Sequence, residues 1–382
     1  MRIGDIRVLH GDGTAELHAK VWCETDWVGA DKTPFEVWYR FPEECGSYLV
    51  PENGDPFVAA FLIPSMILGE TLRIDGLVSL RLLEAVPTIQ AIIRCWNRSC
   101  HLVEVIAMPR PSMPPLAPRA PHAGLFFSLG VDSCYSLAKE LGYQQTGART
   151  DYLINVLGFD IYLWEFERYP KVLENLRAVA KRFHRKALPV ATNLREFSDR
   201  VADWVHLYHG SALASIALAP LGFFGTVKIA ATHTYAELLP LGSHPILDPL
   251  WSTEALEFVH DGCESNRLEK IGILAQEPAL LHVLRVCARD CTEDVYNCGL
   301  CPKCLMTMVG LHVAGVLERC TTLPHEIDQD RLSAVIITNQ TQRLYLEQLR
   351  DALGRSEKDL IIRAALTTCL TRPPSNARAP SR

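Results

Sequence analysis

The sequence predicts an α/β protein: a doubly wound parallel sheet, with an α+β domain before it and a helical segment after it. Three observations carry that expectation. Short apolar runs alternate with helical patterns from Gly124 onward, six prolines fall within the thirteen residues from Pro109 to Pro121, and the pattern turns helical again past residue 320. Runs of four to eight apolar residues separated by helices imply right-handed crossovers and a sheet covered on both faces.

The strands expected in order are GLFFS, DYLINVLG, ALPVATN and TVKIAATH. Helical patterns follow the first three, at 132–142, within WEFERYPKVLENLRAVAKRFHRK and within VADWVHLYHGSALASIALA. Upstream of the prolines, FEVWYRFP, AAFLIPSMILG, TLRIDG and TIQAIIRCW mix β-like runs with an amphipathic segment. The expected division is an N-terminal domain over 1–110, a linker over 111–123, a catalytic domain over 124–320, helices over 321–370 and a disordered tail over 371–382. Proline blocks both helix and ladder hydrogen bonds, which is why the linker is placed where it is.

Composition bounds the function classes. The 382 residues are 48% hydrophobic and 21% charged, ordinary for a globular chain, and the net charge of −6 gives no global attraction to nucleic acid. The N-terminus lacks a signal-peptide pattern, and the longest apolar stretch, ALASIALAPLGFFG, is shorter than the roughly 20 residues a bilayer needs. A cytoplasmic protein without a membrane partner is expected. Thirteen cysteines in such a chain favour metal binding or catalysis over a disulfide framework.

The stretch SLGVDS, Ser128 to Ser133, joins the first strand to its helix. A loop in that position offers unpaired backbone N–H groups and the positive end of a helix dipole, which suits a phosphate. Ser128 and Ser133 add hydroxyl donors, and Gly130 permits close backbone approach. Asp132 is expected to cap the helix, to bind Mg²⁺, or both. Leu129 and Val131 complete the loop. A strand-to-helix turn with an ordinary cap is the competing reading.

Farther along, Cys298, Cys301 and Cys304 form C-x-x-C-x-x-C, with Cys291 and Cys287 upstream. Three thiolates at that pitch plus a fourth make a tetrahedral zinc site, with an iron–sulfur cluster second. Cys287 is preferred to Cys291 as the fourth ligand because it ends the apolar run ALLHVLRVC, where a strand end would fix it.

SLGVDS resembles the S-G-G-x-D-S loop of the PP-loop, or N-type, ATP pyrophosphatases, with Leu129 where the first glycine usually stands. NCGLCPKC is similar to the zinc knuckle of the 7-cyano-7-deazaguanine synthase family, and the two motifs come in the same order over 124–320. The N-terminal 110 residues have no counterpart there. This resemblance implies a HUP/Rossmann-like PP-loop domain that uses ATP to adenylate a carboxylate or carbonyl oxygen, releases pyrophosphate, and lets ammonia or an amine displace AMP. It implies ATP, Mg²⁺ and Zn²⁺ as cofactors and a small-molecule or carrier-borne carboxylate as substrate; a homodimer is compatible with it. The four cysteines would be structural.

The remaining candidates follow from position in the expected sheet. His233, with Thr232, Thr234 and Tyr235, ends the fourth strand, and Asp132, Ser133 and His233 form the catalytic set. Gly158 and Asp160, after the second strand, are placed against adenine and ribose. Arg267 and Lys270 share one face of a helix start and would reach one phosphate. His209, Ser211 and the GSHP loop at Gly242–Pro245 are read as a cap and a polar loop, and Cys134 as a helix residue rather than a nucleophile. A tRNA or sulfur-transfer enzyme and a non-enzymatic nucleotide-binding zinc module are the alternative functions.

Overall fold

A computed structural model describes residues 1–25, 34–111, 120–142, 149–287 and 296–372. These form two compact units. The first comprises Met1–Ser128, Thr146–Ala231 and Leu238–Asp261, and the second comprises Leu129–Gln145, Thr232–Glu237 and Gly262–Arg382.

The first unit is built on a ten-stranded sheet. In chain order its strands are β1 (Arg2–Gly11), β2 (Thr14–Trp22), β3 (Phe35–Pro42), β4 (Leu72–Val78), β5 (Val105–Pro109), β6 (His122–Phe126), β7 (Tyr152–Leu157), β8 (Lys186–Thr192), β9 (Phe224–Ala230) and β10 (Glu257–Asp261). Their spatial order is β10-β9-β6-β7-β8-β3-β2-β1-β4-β5. Pairing is parallel from β10 through β8, antiparallel from β8 through β1, and parallel again from β1 through β5. The class is therefore α/β with a mixed, mostly parallel sheet.

The four expected strands of the α/β part are present as β6 to β9. Two elements were legible but not drawn from the sequence. Asp12 and Gly13, at φ 51° and 74°, make the two-residue turn of the β1–β2 hairpin, the conformation for which Asp-Gly is suited. β10 is the other, a five-residue parallel edge strand.

The compact units do not divide at the proline-rich segment, whose residues 112–119 lie outside the described ones. β3 lies beside β8, with Tyr39 opposite Thr192 and Arg40 opposite Ala191, so both sides of that segment belong to one sheet. The Asn193 amide extends the join, accepting from Trp38 N at 2.9 Å and donating to Glu36 O at 2.8 Å. The helix Asp55–Leu68 is buried almost throughout and packs on the helix His209–Leu218. There Tyr208 Oη donates to Ala60 O at 2.6 Å and Phe61 meets Phe197 edge-on at 5.4 Å. An unpaired β3 edge would expose a row of backbone donors and acceptors, and β8 covers it.

The long helix expected after β7 is shorter than its apolar pattern. A 3₁₀ turn at Leu163–Arg168 precedes the helix Tyr169–Arg182, with Pro170 in its first turn, where the missing N–H costs nothing. The pattern after β8 is likewise split, into one wide turn at Trp204–Tyr208 and the helix at His209–Leu218. His209 opens that helix as expected, and burial lowers its pKa.

The second unit holds the helix Val131–Gly142, the helices Arg267–Leu274 and Pro302–Val313, and a C-terminal pair at Gln340–Ala352 and Glu357–Thr371. The tail from 373 lies outside the described residues. Among the described residues, no helix is long and apolar enough to cross a membrane.

Candidate functional site

The strand order places β6 between β7 and β9, both parallel to it. Successive connections run from β6 to β7 to β8 on one side, and β9 and β10 lie on the other. The strand order thus reverses at β6, and in open α/β sheets ligands bind outside the carboxyl ends of the strands at such a point. Asn155, on β7, fixes this strand end, its Nδ2 donating to Phe127 O at 2.9 Å, while Phe127 N donates to Ile154 O.

The chain leaves the sheet at Ser128 and enters the second unit at Leu129. Leu129 has φ +65° and is wholly buried. A left-handed conformation costs a non-glycine residue about 1–2 kcal/mol, so the backbone here has the shape that a glycine adopts without penalty. Burial explains the leucine, since removing a buried leucine side chain costs roughly 2.7–5 kcal/mol, more than the strain. Leu129→Gly should therefore destabilise the protein by about 1–3 kcal/mol in denaturant unfolding, despite relieving the dihedral.

Gly130 O receives Cys134 N at 2.9 Å and Ser133 Oγ at 3.2 Å, which closes the first turn of the helix Val131–Gly142. Asp132 lies inside that turn and is not its cap. Its carboxylate is the counter-ion of both expected cations: Arg267 Nη1 lies 3.2 Å from Oδ2 and Lys270 Nζ 3.2 Å from Oδ1. Lys270 is buried, with its side chain 1% exposed, and its ammonium lies 5.6 Å from the Tyr135 ring centroid. Tyr135 is held in turn, its Oη donating to Glu264 Oε1 at 2.8 Å, and Lys139 pairs with the same carboxylate oxygen. Asn266 caps the helix that carries both cations, accepting from Leu268 N and Glu269 N. Asp132 thus orients two cations.

The four cysteines converge. Cys287, Cys298, Cys301 and Cys304 place their sulfurs within 4.8 Å of one another, with 3.9 Å between Cys287 and Cys301 and between Cys298 and Cys304. A single zinc at about 2.3 Å from each sulfur sets sulfur–sulfur edges near 3.8 Å, close to the two 3.9 Å separations. A cubane holds each cysteine on a separate iron and spreads them wider.

Gly299, at φ +68°, has no room for a side chain, since a Cβ would stand 2.5 Å from Pro324 Cγ. Cys301 caps the helix Pro302–Val313, accepting from Cys304 N, and Cys301 N lies 3.3 Å from Cys298 Sγ. Cys304, above all, donates to Cys301 and lowers its pKa to about 5, and that same bond raises Cys304. Cys291 lies outside the described residues.

Cys287 takes its place without being at a strand end, because 282–287 has no regular structure beyond a turn. Asn297, which the sequence reading passed over, holds it there. Its Oδ1 accepts from Val286 N at 2.8 Å and Cys287 N at 3.1 Å, and its Nδ2 donates to Leu284 O and Thr322 O. The asparagine directly before the CGLC run is the available signal.

Comparison with family models, curated proteins and solved structures gave no match to this chain. The family resemblance therefore rests on the residues themselves.

The other candidates are distributed as follows. His233 is half-buried in the segment Thr232–Glu237 of the second unit, where Tyr235 N donates to Cys263 O. Gly158 and the exposed Asp160 belong to the first unit. Gly158 has a packing explanation: at φ +102°, a Cβ would stand 1.9 Å from Thr192 O. Gly158→Ala is accordingly expected to lower the melting temperature whether or not a nucleotide is present.

Cys134 is buried and its thiol is pushed up by burial, as a helix residue's should be. The GSHP loop is pinned by Asp248, which accepts from Ser243 Oγ at 2.6 Å and His244 N at 3.2 Å and lies 2.7 Å from His260 Nδ1.

Proposed function

We propose that this chain is a PP-loop, ATP-dependent adenylating enzyme with a HUP-type, doubly wound nucleotide domain and a structural zinc centre. The observation that carries the reading is the left-handed backbone of Leu129 in the SLGVDS loop, at the carboxyl end of the strand where the sheet order reverses. It supports a glycine-type phosphate loop even though leucine occupies the position.

In this reading the loop's backbone N–H groups and the hydroxyls of Ser128 and Ser133 hold the polyphosphate, and the positive end of the helix Val131–Gly142 faces it. Arg267 and Lys270 neutralise charge on the departing pyrophosphate, oriented by Asp132. A carboxylate oxygen attacks the α-phosphorus, the bond from that phosphorus to pyrophosphate breaks, and an acyl adenylate results. Ammonia or an amine then attacks the acyl carbon, AMP leaves with the bonding pair, and the nitrogen gives up a proton. Positioning and charge stabilisation supply most of the rate in such a reaction. His233 is assigned to the acyl side as the proton acceptor. The four cysteines would hold zinc, which would supply a structural anchor rather than take part in the chemistry.

The test is pyrophosphate release from ATP with ammonium and a panel of carboxylates. Substrate-dependent release that falls at least a hundredfold in Lys270→Met is expected. Background release throughout would defeat the adenylation reading, and tight ATP binding without release would favour the non-enzymatic nucleotide module.

A further inference from the structure

The loop and the cysteine centre are tied together by one backbone hydrogen bond. Arg285 N donates to Leu129 O at 2.9 Å, and Arg285 stands two residues before the ligand Cys287. The segment from Leu284 to Cys287 is irregular, so its position does not come from a helix or a sheet ladder. It comes from Asn297, whose side chain makes four hydrogen bonds, three of them to Leu284, Val286 and Cys287, and whose next residue is the ligand Cys298. Thr322 Oγ1 adds a bond to Leu284 O at 2.7 Å. On the other side of the link, Leu129 sits in a conformation that its residue type resists and that its surroundings must impose.

We propose that the cysteine metal centre sets the conformation of the Leu129 loop, with Asn297 and the Arg285 backbone as the positioning groups that connect them. Metal binding fixes Cys287 relative to Cys298; Asn297 carries that fix to the 284–287 backbone; and the Arg285 N–H holds the Leu129 carbonyl, which helps keep the left-handed turn ahead of the helix. Without the metal, Cys287 loses its tie to Cys298 through the ion, and the strained turn loses a restraint. The inference rests on the reading of the four cysteines as a zinc site. Its consequence for ATP rests also on the proposed function.

Hydrogen exchange of the backbone over 127–134, followed by mass spectrometry on the full chain, tests it without needing a nucleotide. Zinc-loaded wild type should protect this segment, and chelation should speed its exchange at least tenfold. Arg285→Pro, which removes the N–H and leaves every ligand in place, should retain one zinc per chain yet exchange as the stripped protein does. Arg285→Ala keeps the N–H and should match wild type.

Asn297→Ala guards against a proline variant that fails to fold. It should weaken zinc affinity by roughly ten- to a hundredfold, the usual cost of losing an outer-shell partner, and show fast exchange in the loop at zinc concentrations where wild type is protected. Equal exchange in zinc-loaded and stripped wild type, or wild-type protection in a folded Arg285→Pro, would overturn the proposal. ATP affinity measured alongside should fall with the loop's protection. If zinc-loaded wild type binds no ATP, the nucleotide reading fails while the exchange result still decides the coupling.

Discussion

Replacing Cys301 by serine is expected to unfold the second unit at temperatures where the first remains folded. Cys301 is a ligand and also the cap of the helix Pro302–Val313; serine can still accept the capping bond, so the variant isolates the loss of one metal ligand. Structural zinc sites of four cysteines carry apparent binding energies on the order of 10–16 kcal/mol, comparable to the whole 5–15 kcal/mol that typically separates a folded domain from its unfolded chain. The first unit has its own core, a continuous apolar cluster from Met1 to Phe258 that includes Phe57, Phe61, Phe197, Tyr208 and Trp251.

A calorimetric scan of the zinc-loaded wild type, repeated with excess chelator and with Cys301→Ser, checks this. The chelated and variant proteins should each lose or greatly lower one transition while keeping the other, and metal analysis should show about one zinc per wild-type chain. A variant whose melting curve superimposes on that of the wild type would mean that the four sulfurs need no metal to stay together. Brown protein with acid-labile sulfide would instead identify an iron–sulfur cluster.

The parts of the fold legible in the sequence were those with a local cause. The strands that became β6 to β9 are short apolar runs bounded by turn residues, and both the SLGVDS loop and the C-x-x-C-x-x-C pitch are contiguous motifs whose geometry needs only a few residues. What escaped had non-local causes. The pairing of β3 with β8 brings together residues more than 150 positions apart, and the proline-rich run between them reads as a boundary because nothing local reveals that the two sheet edges match.

The site divides along the same line. Helix spacing points to Arg267 and Lys270 as phosphate ligands, and in the structure they share one partner. That partner is Asp132, a carboxylate the sequence offered as a cap or Mg²⁺ ligand, because helix spacing fixes which side chains lie together and says nothing of what faces them. Cys287 joins the cluster from an irregular segment rather than a strand end, and Asn297, which places it, works through bonds to backbone that lies ten or more residues away in sequence.

The Asp132–Lys270 pair should give an asymmetric response to mutation. Lys270 is almost wholly enclosed, whereas Asp132 is one-fifth exposed and has a second cation in Arg267. Removing one member of a buried ion pair is costly because it strands the other charge; replacing the buried charge by an apolar group of similar volume is often neutral. Asp132→Asn leaves the enclosed Lys270 without its carboxylate counter-ion, while the Tyr135 face stays 5.6 Å away. A loss of about 2–4 kcal/mol is expected, discounted from the 3–5 kcal/mol typical of a fully buried pair because Asp132 is partly solvated.

Lys270→Met keeps the volume, leaves Asp132 with Arg267, and should change stability by less than about 1 kcal/mol. The double variant should recover most of the stability lost by Asp132→Asn alone, giving a coupling term of about 1–3 kcal/mol in the cycle. Denaturant unfolding of the four proteins measures all of this. ATP binding separates the functional from the structural role: both single variants should bind ATP at least tenfold more weakly, although only one of them is unstable. Equal destabilisation by the two single variants would place the charge balance elsewhere. A stable Lys270→Met with undiminished ATP affinity would remove Lys270 from the nucleotide site.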